Sequence, residues 1–537
     1  MHLITSGTFL PAEFSTEVGL LPPSFLPLAN KRLYEHQVNF LRNSLNIENI
    51  FLSLPNSFKL TEYEEQSLEN LGIKVIWVDE NLSLAESILE CINSLENEPS
   101  QLTILHGDTL FMDTKYPVGD FISIHKNKGF YERASFVENS SELELRDIWP
   151  QEGESVVSGY FSFNFPKLFR ERLEEKKNFV EALNEYNKTN PFNILSQGDW
   201  LDFGHINSFY QSRALLTTER SFNDLFIDKK IVKKSSEDKP SKIFAEANWF
   251  NELPLPLRRF IPSLLGFDRG DASFMNSYYE TEYLYHLPLS DLYSFCNLNE
   301  SKWKQIFLSI QELLNLFSKY KNKGVINGKE YVQLYLKNTL NRLEAFEEQS
   351  GISISDIKFS YSGKPGKLSL REIAVLTSDH ISSDVQIEES IIHGDFCFSN
   401  LIFDSRSESI KCIDPRGQDL NGNITLYGDK RYDYAKLFHS VVGLYDLIIS
   451  GQYNLHEENK EYFLEFFQTN LDSESIKLEF DRTILMPSGI NKKEIHALTI
   501  LLFLSMLPLH SDYPARQKAF IANSLRLSFM ISIVIDR

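Results

Sequence analysis

Cysteine is scarce in this chain of 537 residues, which has only four of them. The four are widely scattered, so no pair shows the spacing of a metal site or the pattern of a disulfide-stabilised secreted domain. This usage suits a reducing compartment, and we expect the protein to be cytoplasmic. The cysteines are Cys91, Cys296, Cys397 and Cys412.

Basic residues are also few in comparison with acidic residues. The chain has 54 Lys and Arg residues against 74 Asp and Glu residues, a formal net charge of −20. An acidic protein repels the phosphate backbone, so we expect no nucleic-acid partner. A nucleotide would have to be held by local Lys, Arg and backbone N–H groups, with metal ions helping.

Long apolar runs are missing too. The start of the chain, Met1 to Thr5, lacks the basic region and apolar core of a signal peptide. No run approaches the roughly 20 apolar residues needed to span a bilayer. The apolar stretch Phe529 to Ile535 is short, and we interpret it as a docking helix. We therefore expect no membrane span.

The chain is well supplied with apolar residues (42%) and aromatic residues (13%). This composition is typical of well-packed globular domains and argues against disorder. A chain of this length exceeds one ordinary hydrophobic core, so at least two domains are expected. The sequence leaves the oligomeric state open, and a homo-oligomer is among the states it allows.

The first third of the chain alternates strand and helix patterns. Such alternation predicts a mainly parallel sheet covered by helices, with ligands at the carboxyl ends of the strands. Asp108 follows the strand that begins at Leu102, so it falls at such an end. The predicted strands are residues 3–5, 50–54, 73–78 and 102–105, and the predicted helices are residues 33–45, 63–71 and 84–95.

The pattern changes near residue 220, and we predict domains at residues 1–220 and 221–537. A strand pair (222–234), a loop (235–241) and a helix (242–253) come first. The aromatic, acidic segment 277–286 indicates a strand or a hinge. Two helices then precede the motif described next, and the chain from Tyr432 is predicted to be largely helical. The first helix includes Trp303 to Phe317, and the second runs from Lys329 to about Phe346.

One motif carries most of the chemical information. Asp395 and Asn400 are spaced as D-x-x-x-x-N, and Asp414 follows a short apolar strand. Phosphoryl transfer from ATP needs a carboxylate that takes the proton of the acceptor hydroxyl, and an amide and a carboxylate that hold Mg²⁺. The alternative is a turn between two buried strands, with Asp and Asn as turn-forming residues.

The stretch from Ile392 to Asp404, with Asp414, resembles the catalytic loop of the choline kinase and aminoglycoside phosphotransferase families. The resemblance covers roughly residues 221–537 and implies an α+β, two-lobed, protein-kinase-like domain that uses ATP as phosphoryl donor. It also implies that Asp395 is the catalytic base and that Asn400 and Asp414 are Mg²⁺ ligands.

The same chemistry requires a strand lysine followed by a helix that carries a glutamate, because that ion pair positions the lysine on the phosphates. Lys234 is our first choice and Lys233 the reserve, since adjacent strand residues face opposite sides. Glu246 is the candidate partner. For each lysine alone, a solvated surface charge is the competing interpretation.

Other residues near the motif receive supporting roles. By the same resemblance Asp433 buttresses the loop by hydrogen bonding. His393 is interpreted as a loop-packing residue and Cys397 as an inert packed thiol. Arg416 either contacts an anion or forms a structural ion pair.

The segment from Pro22 to Gln37 resembles the signature region of sugar-phosphate and choline-phosphate nucleotidyltransferases. The segments 106–111, 159–163 and 200–205 resemble later parts of that family's fold. The resemblance implies a GT-A-like α/β domain in which Asp108 and Asp202 hold Mg²⁺. It places Gly7 at the nucleotide.

Two departures from that family's pattern affect the activity. The glycine-rich turn is reduced to Ser6-Gly7-Thr8 without a basic residue, and Ser24 occupies the position of the signature lysine. Lys31 or Arg32 could supply the missing positive charge at the nucleotide.

These patterns favour a bifunctional enzyme. Its second half would phosphorylate a small hydroxylated metabolite, and its first half would couple the product to CTP, GTP, UTP or dTTP, releasing pyrophosphate. The family resemblance implies a role in capsule or lipopolysaccharide synthesis. We expect a sugar or polyol acceptor rather than choline, although the tyrosines near residue 280 could form a cation box instead of core or hinge. These are Tyr278, Tyr279, Tyr283 and Tyr285.

Two alternatives stand beside this hypothesis. In the first, the protein is a kinase only, with a degenerate or substrate-binding N-terminal domain, which Ser24 favours. In the second, both domains are inactive and form a scaffold, which the presence of Asp395, Asn400 and Asp414 disfavours.

Overall fold

The structure, a computed structural model, divides into two compact units. Unit 1 comprises Met1–Thr217 with Phe295–Asn297, and unit 2 comprises Thr218–Ser294 with Leu298–Arg537. Among the described residues, every helix is too short or too polar to cross a bilayer. The structure describes residues 1–45, 49–112, 119–127, 133–136, 145–148, 153–218, 224–228, 230–271, 273–467 and 473–531.

In the described part of unit 1, nine strands form one mixed sheet. The four strands predicted from the sequence are confirmed, and they pair in parallel. Later strands extend the sheet with antiparallel pairs, so the sheet is parallel only in part. The parallel strands are His2–Thr5, Ile50–Pro55, Ile73–Val78 and Leu102–His106; the later ones are Phe121–Lys126, Arg133–Phe136, Leu145–Ile148, Ser155–Phe163 and Asn193–Leu195.

Helices cover this sheet, and the three predicted ones are confirmed with small shifts in their ends. Two of these begin at capping boxes, Thr61 with Glu64 and Ser83 with Glu86, which satisfy backbone N–H groups of the first turn. Buried side chains such as Phe161 form the core beneath them. The helices of unit 1 are Ala12–Val18, Leu33–Leu45, Glu62–Asn70, Leu84–Asn93, Pro166–Lys176, Phe179–Thr189 and Ile206–Thr218.

Two short strand pairs lie outside this sheet and carry predicted site residues. Pro27–Leu28 and Lys31–Arg32 form a small hairpin. Thr109–Met112 pairs antiparallel with Asp199–Asp202, which places Asp202 opposite Thr109. This second pair therefore brings the two predicted metal-binding segments together.

Unit 2 begins with a four-stranded antiparallel sheet in the described residues. The helix Pro240–Glu252 follows the second strand, as predicted, and contains Glu246. The segment near residue 280 is a strand, which settles the choice between strand and hinge. In spatial order the strands are Asp224–Ile227, Ile231–Ser235, Tyr278–Glu282 and Leu264–Asp268.

The rest of unit 2 is rich in helices, and the two predicted long helices are confirmed. Between Phe398 and Cys412, a short 3₁₀ turn (Phe398–Asn400) is followed by the hairpin Leu401–Asp404 and Ser409–Cys412. The principal helices are Leu289–Phe295, Glu300–Phe317, Gly328–Ser350, Leu370–Ser378, Arg431–Val441, Tyr445–Ile449, Ser473–Phe480, Lys492–Ser505 and Pro514–Met530.

The expectation of a largely helical chain after Tyr432 is confirmed, but the described residues also contain a strand pair that was not predicted. Tyr453–Glu458 and Glu461–Phe466 form an antiparallel hairpin. In the second strand Tyr462 and Leu464 are buried while their neighbours are more exposed, which is the two-residue period of a strand. The helix Pro514–Met530 contains only the first two residues of the stretch Phe529 to Ile535 that was interpreted as a docking helix, and residues 532–537 lie outside the described residues.

Candidate active sites

Lys234 is the strand lysine whose side chain is buried in the interior of unit 2. Its Nζ lies 2.8 Å from Glu246 Oε2 and 3.1 Å from Asp414 Oδ1. Burial favours the neutral amine, but the carboxylates of Asp414 and Glu246 outweigh it and raise the pKa of Lys234. Lys234 is therefore charged and joins the sheet, the helix and the loop that carries Asp414.

Lys233 lies on the opposite face of the strand. Its side chain is 42% exposed, pairs with Glu280 at 3.2 Å and lies over the ring of Tyr278. The structure therefore places Lys234, and not Lys233, beside Glu246. The period of two along a strand separates the two lysines.

The tyrosines near residue 280 do not converge on one box. Tyr279 is buried, and its hydroxyl donates to Glu246 Oε2 at 2.9 Å. Tyr278 lies beside Lys233, while Tyr283 and Tyr285 pack edge-to-face with each other. This arrangement fits the interpretation of these residues as core and connection rather than as a cation site.

Asp395 occupies a loop that its surroundings hold firmly. Its side chain is 39% exposed, whereas His393, Phe396 and Asn400 are buried. One carboxylate oxygen, Oδ2, accepts a hydrogen bond from Asn400 Nδ2 at 3.0 Å. An open carboxylate on a fixed loop is what a base for an incoming hydroxyl requires.

Lys436 contacts the other oxygen of this carboxylate, with Nζ 2.8 Å from Asp395 Oδ1. Partial burial favours the neutral carboxyl, but the Lys436 ammonium outweighs this effect and holds the pKa of Asp395 below its usual value. Asp395 is therefore ionised at neutral pH. The sequence motifs missed Lys436, and the available signal was its position three residues after Asp433 in a predicted helix.

Asp433 fixes the backbone of the loop. The N–H groups of His393 and Gly394 donate to its two carboxylate oxygens, each at 2.8 Å. Gly394 has a φ of +79°, and a Cβ there would lie 2.8 Å from Arg416 Cβ, so this position needs glycine. The structure thus gives Asp433 the buttressing contacts that the resemblance implies.

His393 packs inside the loop as interpreted. Its Nε2 donates to the carbonyl of Ile413 at 2.9 Å, and Nδ1 faces the N–H of Asp395. Burial lowers the pKa of His393 to about 4, so the ring is neutral near pH 7. Cys397 is also buried, and burial raises the pKa of its thiol to about 12, which makes it unreactive.

Asp414 follows the hairpin strand Ser409–Cys412 and adopts a φ of +54°, which non-glycine residues rarely take. The N–H of Ile413 donates to the carbonyl of Asn400 at 3.0 Å, which ties the two segments together. The side chain of Asp414 is 47% exposed despite its contact with Lys234. Its strained backbone therefore presents an accessible carboxylate.

The oxygen donors of Asn400 and Asp414 fit Mg²⁺. Asn400 uses its Nδ2 group to hold Asp395, which leaves its amide oxygen to act as a ligand. Mg²⁺ prefers oxygen ligands and is commonly held by one or two protein groups together with phosphates. Within the described ranges, no cluster of three or more His, Cys, Asp or Glu side chains is suited to a metal ion.

A cavity of about 220 Å³ lies beside this loop. Arg416 forms part of its wall, donates to the hydroxyl of Tyr432 at 2.8 Å and stacks on that ring. Acidic and aromatic side chains dominate the rest of the lining. These are Glu330, Glu389, Asp419, Asp429, Tyr331, Tyr335, Tyr427 and Tyr432.

Among the described residues, the hydrogen-bond partners of two of these carboxylates are neutral. Glu389 accepts from the hydroxyl of Tyr331 and from the Asn322 amide, and Asp419 accepts from the backbone and the amide of Asn423. In the part of the chain that the structure describes, neither has a cationic side chain within 4.0 Å. The cavity therefore has a strongly negative wall.

In unit 1 the carboxylates of Asp108 and Asp202 converge. A Cβ on Gly204 would lie 2.4 Å from Asp108 Oδ2 and 3.5 Å from Asp202 Oδ1, so both oxygens flank this glycine. The N–H of Phe203 donates to the Asp108 carbonyl at 2.8 Å, which holds the two strands together. Two carboxylates that face the same space fit a hard cation such as Mg²⁺.

Lys31 and Arg32, the residues expected to supply positive charge in place of Ser24, lie in different surroundings. Ser24 is fully buried, and its hydroxyl donates to the carbonyl of Gly107 at 3.2 Å. Arg32 is buried in an ion pair with Glu64 and donates to the Phe25 carbonyl, so its guanidinium group is already engaged. Lys31 is exposed on the short hairpin.

Gly7 lies in a confined position at the end of the first strand. A Cβ there would lie 2.5 Å from Val78 Cγ2 and 3.0 Å from Ser87 Oγ. Close packing therefore requires glycine at this position.

No protein-family model and no curated protein matches the chain. Solved nucleotidyltransferase structures match about 40% of it, in the N-terminal region. A nucleoside-diphosphate-sugar pyrophosphorylase from Vibrio cholerae is 14% identical, covers 40% of this chain and 99% of its own, and has a TM-score of 0.33. A CTP:phosphocholine cytidylyltransferase from Streptococcus pneumoniae is 12% identical (40% and 98%, TM-score 0.32). An inositol-1-phosphate CTP transferase from T. maritima is 13% identical (41% and 97%, TM-score 0.32).

Proposed function

We propose that unit 2 transfers the γ-phosphoryl group of ATP to a hydroxyl group of a small metabolite. The observation that carries this proposal is the connected set formed by Lys234, Glu246, Asp414, Asn400 and Asp395. A phosphate-binding cation, two oxygen ligands for Mg²⁺ and an open carboxylate base are the parts that phosphoryl transfer needs.

Each residue has a defined part in this reaction. Lys234 holds the phosphates, and Glu246 keeps its ammonium in place. Asp395 orients the acceptor hydroxyl and takes its proton. Asn400 and Asp414 supply oxygen ligands, and Mg²⁺, when bound, neutralises charge on the phosphates.

The cavity beside Arg416 is the proposed acceptor site. Its carboxylates and tyrosine hydroxyls accept hydrogen bonds from hydroxyl and ammonium groups, and its negative wall disfavours anionic acceptors. A sugar or polyol, with or without an amine, fits this lining. The tyrosine faces also allow a choline-like cation, which stays the alternative acceptor.

We further propose that unit 1 couples the phosphorylated product to a second nucleoside triphosphate, CTP, GTP, UTP or dTTP, and releases pyrophosphate. The converging carboxylates of Asp108 and Asp202 support this second activity. A nucleoside diphosphate derivative made in this way would feed capsule or lipopolysaccharide synthesis.

A kinase-only protein is the second candidate. The buried Ser24 and the engaged Arg32 favour it, because neither offers a cation to a triphosphate. In that case unit 1 would bind or present a substrate without releasing pyrophosphate.

A metabolite panel tests both candidates. The full chain is incubated with ATP, Mg²⁺ and hydroxylated metabolites, and ADP is followed; each of the four other triphosphates is then added and pyrophosphate is followed. ADP and pyrophosphate with one acceptor would support the bifunctional enzyme, and pyrophosphate release should be lost in Asp108→Ala. Formation of ADP alone would favour the kinase-only protein. The absence of both ADP and pyrophosphate would overturn both proposals.

A further inference from the structure

A buried cation lies beside the candidate base and belongs to none of the sequence motifs. Lys436 is in the helix Arg431–Val441, and its side chain is 10% exposed. Its Nζ lies 2.8 Å from Asp395 Oδ1, while Asn400 Nδ2 holds the other oxygen. The carboxylate is thus held on one side by an amide and on the other by an ammonium.

The position of Lys436 follows from the helix that fixes the loop. Asp433, three residues earlier, accepts hydrogen bonds from the N–H groups of His393 and Gly394. Residues three apart on a helix share a face, so the face that holds the loop backbone also presents the ammonium. The ammonium is therefore as well positioned as the loop itself.

Among the described residues, Lys436 is the cation that contacts Asp395 directly. Lys234 already lies between Glu246 and Asp414, and Arg416 is engaged with Tyr432. Among the described residues, Asp395 is the sole carboxylate within 4.0 Å of Lys436 Nζ. A buried ammonium is normally found paired with an anion, because an unpaired buried charge is costly. The partner of Lys436 is the Asp395 carboxylate, which is itself accessible to solvent.

We propose that Lys436 is a catalytic residue that contacts the phosphoryl group during its transfer. The inference rests on the kinase activity proposed for unit 2. The acceptor oxygen forms a bond to the γ-phosphorus, and the bond from that phosphorus to the β,γ-bridging oxygen breaks with its electron pair left on ADP. The hydroxyl proton passes to Asp395.

Lys436 keeps its proton throughout this step and donates N–H groups to the non-bridging oxygens of the phosphoryl group. The acceptor hydroxyl has to lie between Asp395 and the phosphorus, so a group on Asp395 Oδ1 is within reach of those oxygens. Their negative charge in the transition state is what the ammonium offsets.

Nucleotide binding separates this role from a purely structural one. The affinities of the full chain for the Mg²⁺ complexes of ADP and of AMP-PNP, which has a γ-phosphate, are measured by calorimetry. In Lys436→Met we expect AMP-PNP binding to weaken by about 10-fold or more and ADP binding by less than about 2-fold. Lys436→Arg should keep most of the AMP-PNP affinity, and Lys430→Met, at the start of the same helix, should match the wild type.

Turnover with an acceptor found in the panel gives a second measurement. We expect Lys436→Met to lower kcat by about 100-fold, with little change in the KM of the acceptor. Circular dichroism and the melting temperature verify folding. If the Met variant does not fold, Lys436→Gln is subjected to the same two measurements.

Two failures are distinguishable. A Met variant that binds both nucleotides with the wild-type ratio of affinities, whether or not its kcat falls, would show that Lys436 only supports the loop, and would overturn this inference alone. A wild-type chain that binds neither nucleotide would instead overturn the proposed kinase activity.

Discussion

The Nζ atom of Lys234 lies 2.8 Å from Glu246 Oε2, and both side chains are almost completely buried, with 7% and 1% of their surfaces exposed. This pair connects the second strand of the unit 2 sheet to the helix that follows it. Removing one partner of a buried ion pair leaves an uncompensated charge, which costs more than losing a surface pair.

The buried pair gives the first prediction. Lys234→Ala should lower the free energy of unfolding by about 3 kcal/mol and abolish acceptor-dependent ADP formation. Lys233→Ala, on the same strand, should cost less than about 1 kcal/mol and keep the activity, because its pair with Glu280 is solvated. Urea unfolding and ADP release measure the two effects. Equal losses in both variants would contradict the assignment of Lys234.

The strained backbone of Asp414 gives the second prediction. Because its φ is +54°, Asp414→Gly should be more stable than Asp414→Ala by about 1 kcal/mol. Both variants should lose thermal stabilisation by ATP and Mg²⁺, since both lack the carboxylate. Differential scanning fluorimetry with and without ATP and Mg²⁺ measures this. Retained stabilisation in either variant would argue against Asp414 as a Mg²⁺ ligand.

The buried neutral histidine gives a pH dependence. The folded pKa of His393 is about 4, against an ordinary value near 6.5, so between these pH values the unfolded chain binds a proton that the folded chain does not. Stability should therefore fall as the pH decreases through this window, by about 2 kcal/mol at pH 5.

Urea unfolding at pH 7 and pH 5 of the wild type and of His393→Asn measures the contribution of this ring. The loss of stability on acidification should be smaller in the variant by about that amount. The same loss in both proteins would show that His393 is not the residue responsible.

The glycine between the unit 1 carboxylates gives a prediction for pyrophosphate release. In Gly204→Ala the new Cβ would lie 2.4 Å from Asp108 Oδ2, so this carboxylate would have to move. Pyrophosphate release should fall while ADP formation stays at the wild-type level. Gly266→Ala is the matched control, because its Cβ would meet no atom closer than 3.9 Å. Unchanged pyrophosphate release in Gly204→Ala would count against a metal site there.

The sequence predicted the parts of the site that depend on local spacing. Asp395 and Asn400 lie in one short loop, and Asp414 follows the next hairpin, so their order along the chain already reflects their proximity. The choice between Lys234 and Lys233 required the sheet, because the pattern does not say which face of a strand is covered.

The features that could not be predicted from the sequence depend on tertiary contacts. Lys436 contacts Asp395 from a helix forty-one positions further along the chain, and the packing of that helix is what brings the two side chains together. The sequence leaves Arg32 available to bind a nucleotide, whereas the structure buries it in an ion pair with Glu64. The hairpin near Tyr462 was missed because alternating apolar residues over six positions are a weak signal beside long helices.

The decisive experiment compares acceptor-dependent ADP formation by the wild type and by Asp395→Asn. The variant keeps the shape of the side chain and removes its basicity, so we expect ADP formation to fall by about 100-fold or more with the melting temperature nearly unchanged. ADP formation at the wild-type rate in Asp395→Asn would show that the open carboxylate beside Asn400 and Lys436 is not the base, and would contradict the proposed kinase mechanism.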